Sequence, residues 1–270
     1  MPISADAVGP GIFARVARVL AYHTLVKYLV LKDLKVKSRG TYLGVAWTLL
    51  NPLLSLLIYY VIFRHVFRVQ IPNYFAFFLV GFVIWAFFSR AITSATTSLV
   101  DNEGLVKRAV FPLEVLPLSA VLYQFVHHLI ALAVALLLMG LAGGMRLTWS
   151  LIGVAPLILA FAVFTLALAL WLSTIGVLFL DARDILEVAL PILFWMTPIF
   201  YSLDMAPPFM RPVVVANPLT SFIGALRSVL IDGRLPTAGD VIAIVAWVVV
   251  ALGSGLWIFA RHAPTFSEEI

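Results

Sequence analysis

The 270-residue chain contains no cysteine, which excludes disulfides, thiolate metal ligands and thiol nucleophiles and leaves the redox compartment unreadable. Charge is nearly as scarce. Asp, Glu, Lys and Arg together make up 11% of the chain, against about 25% in a water-soluble globular protein. Also missing are a GxxxxGK[ST] phosphate loop, an HExxH motif, a paired-aspartate metal motif and any histidine cluster facing a carboxylate pair within one segment. The chain is therefore expected to be no enzyme, to hold no metal or cofactor, and to hydrolyse no ATP by the phosphate-loop route. Its long uncharged runs hold almost no ionisable group, which argues against a carrier driven by an ion gradient. His127 and His128 come nearest, and fit either helix packing or the wall of a polar pathway.

What the chain has instead is apolar length. Apolar residues make up 63% of it and the mean hydropathy is +1.08. Continuous apolar runs exclude a transmembrane β-barrel, which needs alternating segments of about ten residues. Backbone groups in lipid must be satisfied within each segment, so a helical bundle remains. The net charge of +5 comes from cations clustered at the ends of the apolar runs, as expected for loops retained on the cytoplasmic side rather than for a nucleic-acid surface. The first eleven residues lack the basic, apolar and small-residue sequence of a cleaved signal peptide.

Lys27, Lys32, Lys35, Lys37 and Arg39 lead into the uncharged run Gly40–Phe63, which as a helix would extend roughly 36 Å against a hydrocarbon core of about 30 Å. This junction places the N-terminus inside and the first span running outward. The spacing predicts an all-α integral membrane protein with six transmembrane helices, at about 42–63, 70–98, 113–142, 149–180, 187–203 and 240–260. Residues 1–40 form a cytoplasmic tail and an interfacial amphipathic helix, with Val16, Val19, Leu20, His23, Val30, Leu31 and Leu34 on its apolar stripe. Asn51-Pro52 predicts a kink in the first span. Pro112 with Glu114 reads as a helix start, and Asp181, Arg183, Asp184 and Glu187 as a short solvated loop. Residues 204–235, semi-apolar and broken by four prolines, read as re-entrant or interfacial, and 263–270 as a cytoplasmic tail.

If such a chain moves something, its energy must come from a separate ATPase, which needs a handle on the inner face. Asp101, Asn102, Glu103, Gly104, Leu105, Val106, Lys107 and Arg108 form a short charged island between two long helices, suited to transmitting a push.

The runs KDLKVKSRGTYLGVAWTLLNPLL (32–54), SLVDNEGLVKRAVFPLEVLPLS (98–119) and ANPLTSFIGALRSVLI (216–231) resemble the permease subunit of bacterial ATP-binding-cassette polysaccharide exporters. The match runs in order from Ala21 to His262, and the first two motifs favour the O-antigen and teichoic-acid branch over capsule export. The resemblance implies a homodimer in the cytoplasmic (inner) membrane with both termini inside, joined to two nucleotide-binding subunits that carry ATP and Mg. It implies a lipid-linked polysaccharide as substrate. It also implies that 101–108 acts as a coupling helix and that the stretch with Lys27, Lys32, Lys35, Lys37 and Arg39 is the interface helix. The segment holding Pro218, Phe222 and Arg227 would close the outer end of the channel.

In that family aromatic rings of the channel face the sugar chain. Here Phe75, Phe78, Phe82 and Trp85 recur at three and four residues, with Tyr59 nearby. Such a stripe suits either sugar stacking or helix packing and an interfacial belt. Two other assignments fit the residues: an ATP-coupled exporter of another lipid or drug, and a non-transport membrane protein of envelope glycan synthesis. Loss of long surface glycan, gained drug sensitivity, and co-purification with an ATPase separate the three.

Overall fold

The computed structural model describes residues 12–38, 54–55, 57–66, 68, 70–179 and 181–270. Asn51-Pro52, Arg39 and most of the first expected span lie outside these residues, as does the side chain of Lys37. The described part is helical, with no strand among its elements. Four helices are long and apolar enough to cross a membrane. They are α4 (Tyr74–Thr96), α6 (Val115–Leu141), α7 (Val154–Leu178, extended at its start by the 3-10 turn Trp149–Gly153) and α11 (Ala238–His262). The chain is thus a multi-pass membrane protein. Before them come α1 (Ile12–Ala21), α2 (His23–Ser38) and α3 (Leu57–Val66). Between and after them come the short α5 (Glu103–Val106), α8 (Ala182–Met196), α9 (Arg211–Ala216), α10 (Pro218–Arg227) and α12 (Phe266–Glu269).

The long helices form one bundle, α7 lying between α11 and α4, and α6 packing on α4 and α7. In lipid there is no water to expel between helices, so close association relies on small residues that let backbones approach. Two glycines do this. A Cβ at Gly176 would collide with the Thr96 carbonyl oxygen of α4, and one at Gly255 with the Ala167 carbonyl oxygen of α7. Large rings fill the bundle away from these contacts, with Phe78, Phe161, Phe164 and Phe222 fully buried in a single apolar cluster.

A second cluster closes the end at which the chain enters. Val26 and Leu29 of α2, Leu99, Val106 of α5, Val115 and Leu116 of α6, Val177 of α7, Phe259 of α11 and Phe266 of α12 are all buried in it. The packed face of α1 and α2 overlaps the expected stripe at Val19 and Val30 and otherwise departs from it. Val26 and Leu29 pack inward with Leu25 and Val30 beside them, while Leu20 and Leu31 are exposed. Val19, Tyr22, Val26 and Leu29 follow one another at three- and four-residue steps, so the packed face runs on through the turn at Tyr22, whose hydroxyl donates to the Val110 carbonyl. Arg15 pairs with Glu114 at 3.3 Å, so the Glu114 carboxylate at the start of α6 holds α1 rather than capping the helix backbone.

Two further boundaries differ from the sequence reading. Asp184 and Glu187 belong to α8, where Glu187 accepts from Arg183 one turn earlier at 3.2 Å. The charged loop before the fifth run is thus the first turns of a helix, favoured by acids near its N-terminal end. Residues 263–270, expected as a tail, fold as a 3-10 turn and α12, and Phe266 meets the Phe259 ring edge-on at 5.3 Å. Because α12 also packs on α5, Phe266 supports the 101–108 turn from behind. Replacing Phe266 by alanine is expected to cost roughly 3–5 kcal/mol, the usual range for a fully buried ring. Hydrogen exchange comparing 97–108 with the wild type checks this, and faster exchange there is the expected result.

Candidate functional site: an exposed turn, an aromatic cleft and a clamped cap

The 101–108 segment is a compact helical turn. Thr97 donates to the Asp101 carboxylate at 2.6 Å, the Asn102 side-chain amide donates to the Ser98 carbonyl at 2.8 Å, and Lys107 pairs with Glu103 at 2.6 Å. Val106 is buried and anchors the turn, whereas Asp101, Glu103, Gly104, Leu105, Lys107 and Arg108 are exposed and Asn102 is half-buried. Nothing lies within 4 Å of a Cβ built at Gly104. The turn therefore offers a mixed-charge rim around the apolar Leu105, on a base fixed to the bundle. Lys27, Lys32 and Lys35 project from α2 at the same end, all exposed.

Along the bundle, α3, α4 and α8 enclose a cleft of about 390 Å³ lined by Ser55, Tyr59, Phe82, Trp85, Ala86, Ser89, Arg90, Leu190, Pro191, Phe194 and Trp195. Three of the five aromatics singled out from sequence, Tyr59, Phe82 and Trp85, line it. Phe78 does not. It is 0% exposed and packs behind the wall, in ring contact with Tyr59 and Phe82. Phe75 lines a separate pocket with Tyr60, Arg64 and Asn73. The period of the stripe gave the right helix but included two residues that turn away from the cleft.

Phe194 and Trp195 complete the wall from α8, Phe194 lying 5.3 Å from Trp85 and 6.0 Å from Tyr59. They were readable only as part of a short span, because nothing in the local pattern says that α8 folds back across α4. Arg90 was missed for another reason. Arg90 falls inside the span expected at 70–98, and α4 does continue to Thr96, but a single cation in an apolar run carries no spacing that marks a cleft wall. His127 and His128 are both buried, against Tyr123 and against Phe87 with Phe125 respectively, and neither lines the cleft. Among the described residues no group of three His, Asp or Glu side chains gathers as a metal site would require.

The opposite end of the bundle is capped by α9 and α10. Asn217-Pro218 starts α10 for clear local reasons. The Asn217 side-chain oxygen accepts from the Leu219 N–H at 3.0 Å, and Pro218 occupies the first helical position, where no N–H is required. The Asn217 amide also donates to the Thr197 hydroxyl at 2.8 Å, tying the cap to the chain after α8. Phe222 is fully buried, 5.0 Å from Phe161 and 5.4 Å from Phe164. Arg227 then closes the arrangement. Its guanidinium donates to the Phe77 carbonyl through Nε and Nη2, to Pro198 through Nη1 at 2.8 Å and to Ile199 through Nη2 at 2.8 Å. Its Cζ lies 3.3 Å from the centre of the Phe77 ring. The three residues picked from the 216–231 motif thus mark the start, the packing face and the clamp of one cap.

Residues 24–231 match the ABC-2 type transporter model. The chain belongs to the ABC-2 type transporter family. Among curated relatives, the O-antigen export system permease protein RfbA of Myxococcus xanthus is 33% identical over 257 residues, covering 94% of this chain and 98% of the relative. Two proteins of the same description from Klebsiella pneumoniae are 32% identical over 241 residues and 33% identical over 239 residues, each covering 88% of this chain and 91% of the relative. The ABC-2 match takes in α2, the 101–108 turn, all the cleft-lining residues and the α10 cap, leaving α11 and α12 beyond its end.

Proposed function

We propose that this chain is the membrane channel subunit of an ATP-driven exporter that moves lipid-linked polysaccharide, of the O-antigen type, across the cytoplasmic membrane. The observation that carries the reading is the aromatic cleft on α3, α4 and α8. Flat apolar faces with Tyr and Trp polar edges and two serine hydroxyls suit a chain of sugar rings, which has an apolar face and a polar rim. The substrate class is taken from the relatives named for O-antigen export.

In this reading six spans put both termini in the cytoplasm. Residues 1–40 form the tail and interface helix, 41–262 the transmembrane domain and 204–235 the re-entrant outer gate. The described helix α8 has 15 residues, about 22 Å of rise, and forms the fifth span together with the turns that follow it. Two copies pair so that their clefts share one pathway, because the described residues of one copy present three helices to the cleft, too few to surround a polymer. Two ATPase subunits with ATP and Mg dock on Asp101–Arg108 from the cytoplasm, and their closure drives the turn against the second apolar cluster.

Gly104→Trp tests the docking. The space above Gly104 is empty, so the ring leaves this chain's fold intact and obstructs only what sits on the turn. The variant is expected to insert normally, to lose co-purifying ATPase, and to leave cells without long surface glycan. Normal export and normal ATPase recovery from such cells would refute the docking role.

A further inference from the structure

Arg90 stands apart in the sequence of the bundle, being the only Asp, Glu, Lys or Arg in α4, α6 and α7. It lies six residues before the end of α4, roughly 9 Å inside the helix terminus. A fixed charge at such a position is costly in lipid and is tolerated where it faces a cavity, a partner group or a pathway. Arg90 faces the cleft, half-buried, with Ser89 beside it and Ser55 opposite on the chain before α3. Tyr123 of α6 lies within its electrostatic reach. Among the described residues that line the cleft there is no Asp or Glu, and the carboxylate that acts on the same Tyr123, Asp33 of α2, is not part of that lining.

A neutral sugar chain needs aromatic planes and hydroxyls but no cation. A guanidinium kept at one end of an aromatic cleft instead suits an anion that arrives with the substrate, and its planar fork matches two phosphate oxygens at once. We infer that Arg90, with the Ser55 and Ser89 hydroxyls, forms a subsite for the phosphate or diphosphate that links the exported glycan to its lipid. The aromatic wall formed by Tyr59, Phe82, Trp85, Phe194 and Trp195 then takes the first sugars. This rests on the export reading and adds where on the chain the anionic part of the substrate is held.

The test titrates the full-length purified protein, with Trp85 and Trp195 as fluorescent reporters in the cleft, using farnesyl diphosphate, farnesyl monophosphate, farnesol, inorganic pyrophosphate and phosphatidylglycerol as probes. Farnesyl diphosphate is expected to saturate and farnesol not to. Arg90→Gln is expected to raise the half-saturating concentration roughly 10- to 100-fold, the equivalent of one lost charge-assisted contact, with Arg90→Lys falling between. Size-exclusion profile and thermal unfolding without probe establish that each variant is folded. If Arg90→Gln does not fold, the lysine variant decides, because it keeps the charge and loses the fork.

Competition by inorganic pyrophosphate at equal concentration would support the phosphate subsite while assigning its ligand to water rather than to a lipid. Unchanged binding in folded Arg90→Gln, unchanged binding in Arg90→Lys where the glutamine variant does not fold, or equal binding of farnesol, would overturn the inference. Equal binding of phosphatidylglycerol would overturn the diphosphate assignment. A wild-type complex that exports no glycan from cells would count against the export reading instead, whatever the titration gives.

Discussion

Arg227→Met is expected to loosen the whole cap and abolish export. Methionine keeps the unbranched apolar stem of the side chain but removes every donor. The carbonyls of Phe77, Pro198 and Ile199 each lose a partner, at on the order of 1–3 kcal/mol for each one left unsatisfied. The ring of Phe77 loses its cation as well. Among the described residues no Asp or Glu accepts from Arg227. The charge is held by backbone oxygens and a ring, so the fork shape matters more than the sign. Arg227→Lys should therefore recover only part of the stability, since one ammonium cannot reach three carbonyls in the directions the fork reaches. Hydrogen exchange over 197–200 and 218–227, with thermal unfolding of the purified protein, reads both variants. Full recovery by lysine would show that the clamp is a matter of charge alone. The neighbouring Gly81 fits the same account, because a Cβ there would sit 3.0 Å from Arg227 Nη2 and 3.1 Å from the Ile199 backbone.

The second large effect is expected from Gly176→Ala. One added carbon would strike the Thr96 backbone carbonyl, and a backbone atom cannot swing aside as a side-chain end can. Helices α4 and α7 must then move apart where the chain leaves α4 for the 101–108 turn, and overpacking of this kind costs about 1–3 kcal/mol or more. Gly255→Ala should act in the same way between α11 and α7. Gly253→Ala supplies the control on the same helix. Nothing lies within 4 Å of its Cβ, so alanine should be neutral or stabilising by roughly 0.5–1 kcal/mol through helix propensity. Thermal unfolding of the three variants side by side checks the ordering. A Gly176→Ala protein as stable as Gly253→Ala would mean that the helices do not meet as described.

These contacts show where sequence reasoning reaches and where it stops. Hydropathy located α4, α6, α7 and α11 because apolar length is all that a lipid span requires of a helix. The resemblance of the 216–231 motif singles out Pro218, Phe222 and Arg227, whereas their parts as helix start, buried ring and clamp are visible only in the packing of the cap. The cleft was half legible. Tyr59, Phe82 and Trp85 follow helical spacing, but Phe194 and Trp195 reach the same space only through the path of α8. Phe78 and Phe75 share the stripe and still point elsewhere, since a stripe wider than the cleft cannot tell wall from core. Arg90 lies within the span expected at 70–98, but one cation alone has no periodicity that would mark it as part of a cleft. The packed face of α1 and α2 shares Val19 and Val30 with the expected stripe but is centred on Tyr22, Val26 and Leu29, because apolar residues lie on more than one side of these helices and their spacing alone does not choose between them.

The second apolar cluster joins α2, the 101–108 turn, α6, α7, α11 and α12 into a single plate. In the proposed coupling, a push on Leu105 would pass through the buried contacts of that plate to the rods rooted in it. A tilt of about 5° along a rod of roughly 35 Å swings its far tip by about 3 Å, comparable with the thickness of a sugar ring. A short stroke at one membrane face would then appear at the other as a lateral parting of the Arg227 cap.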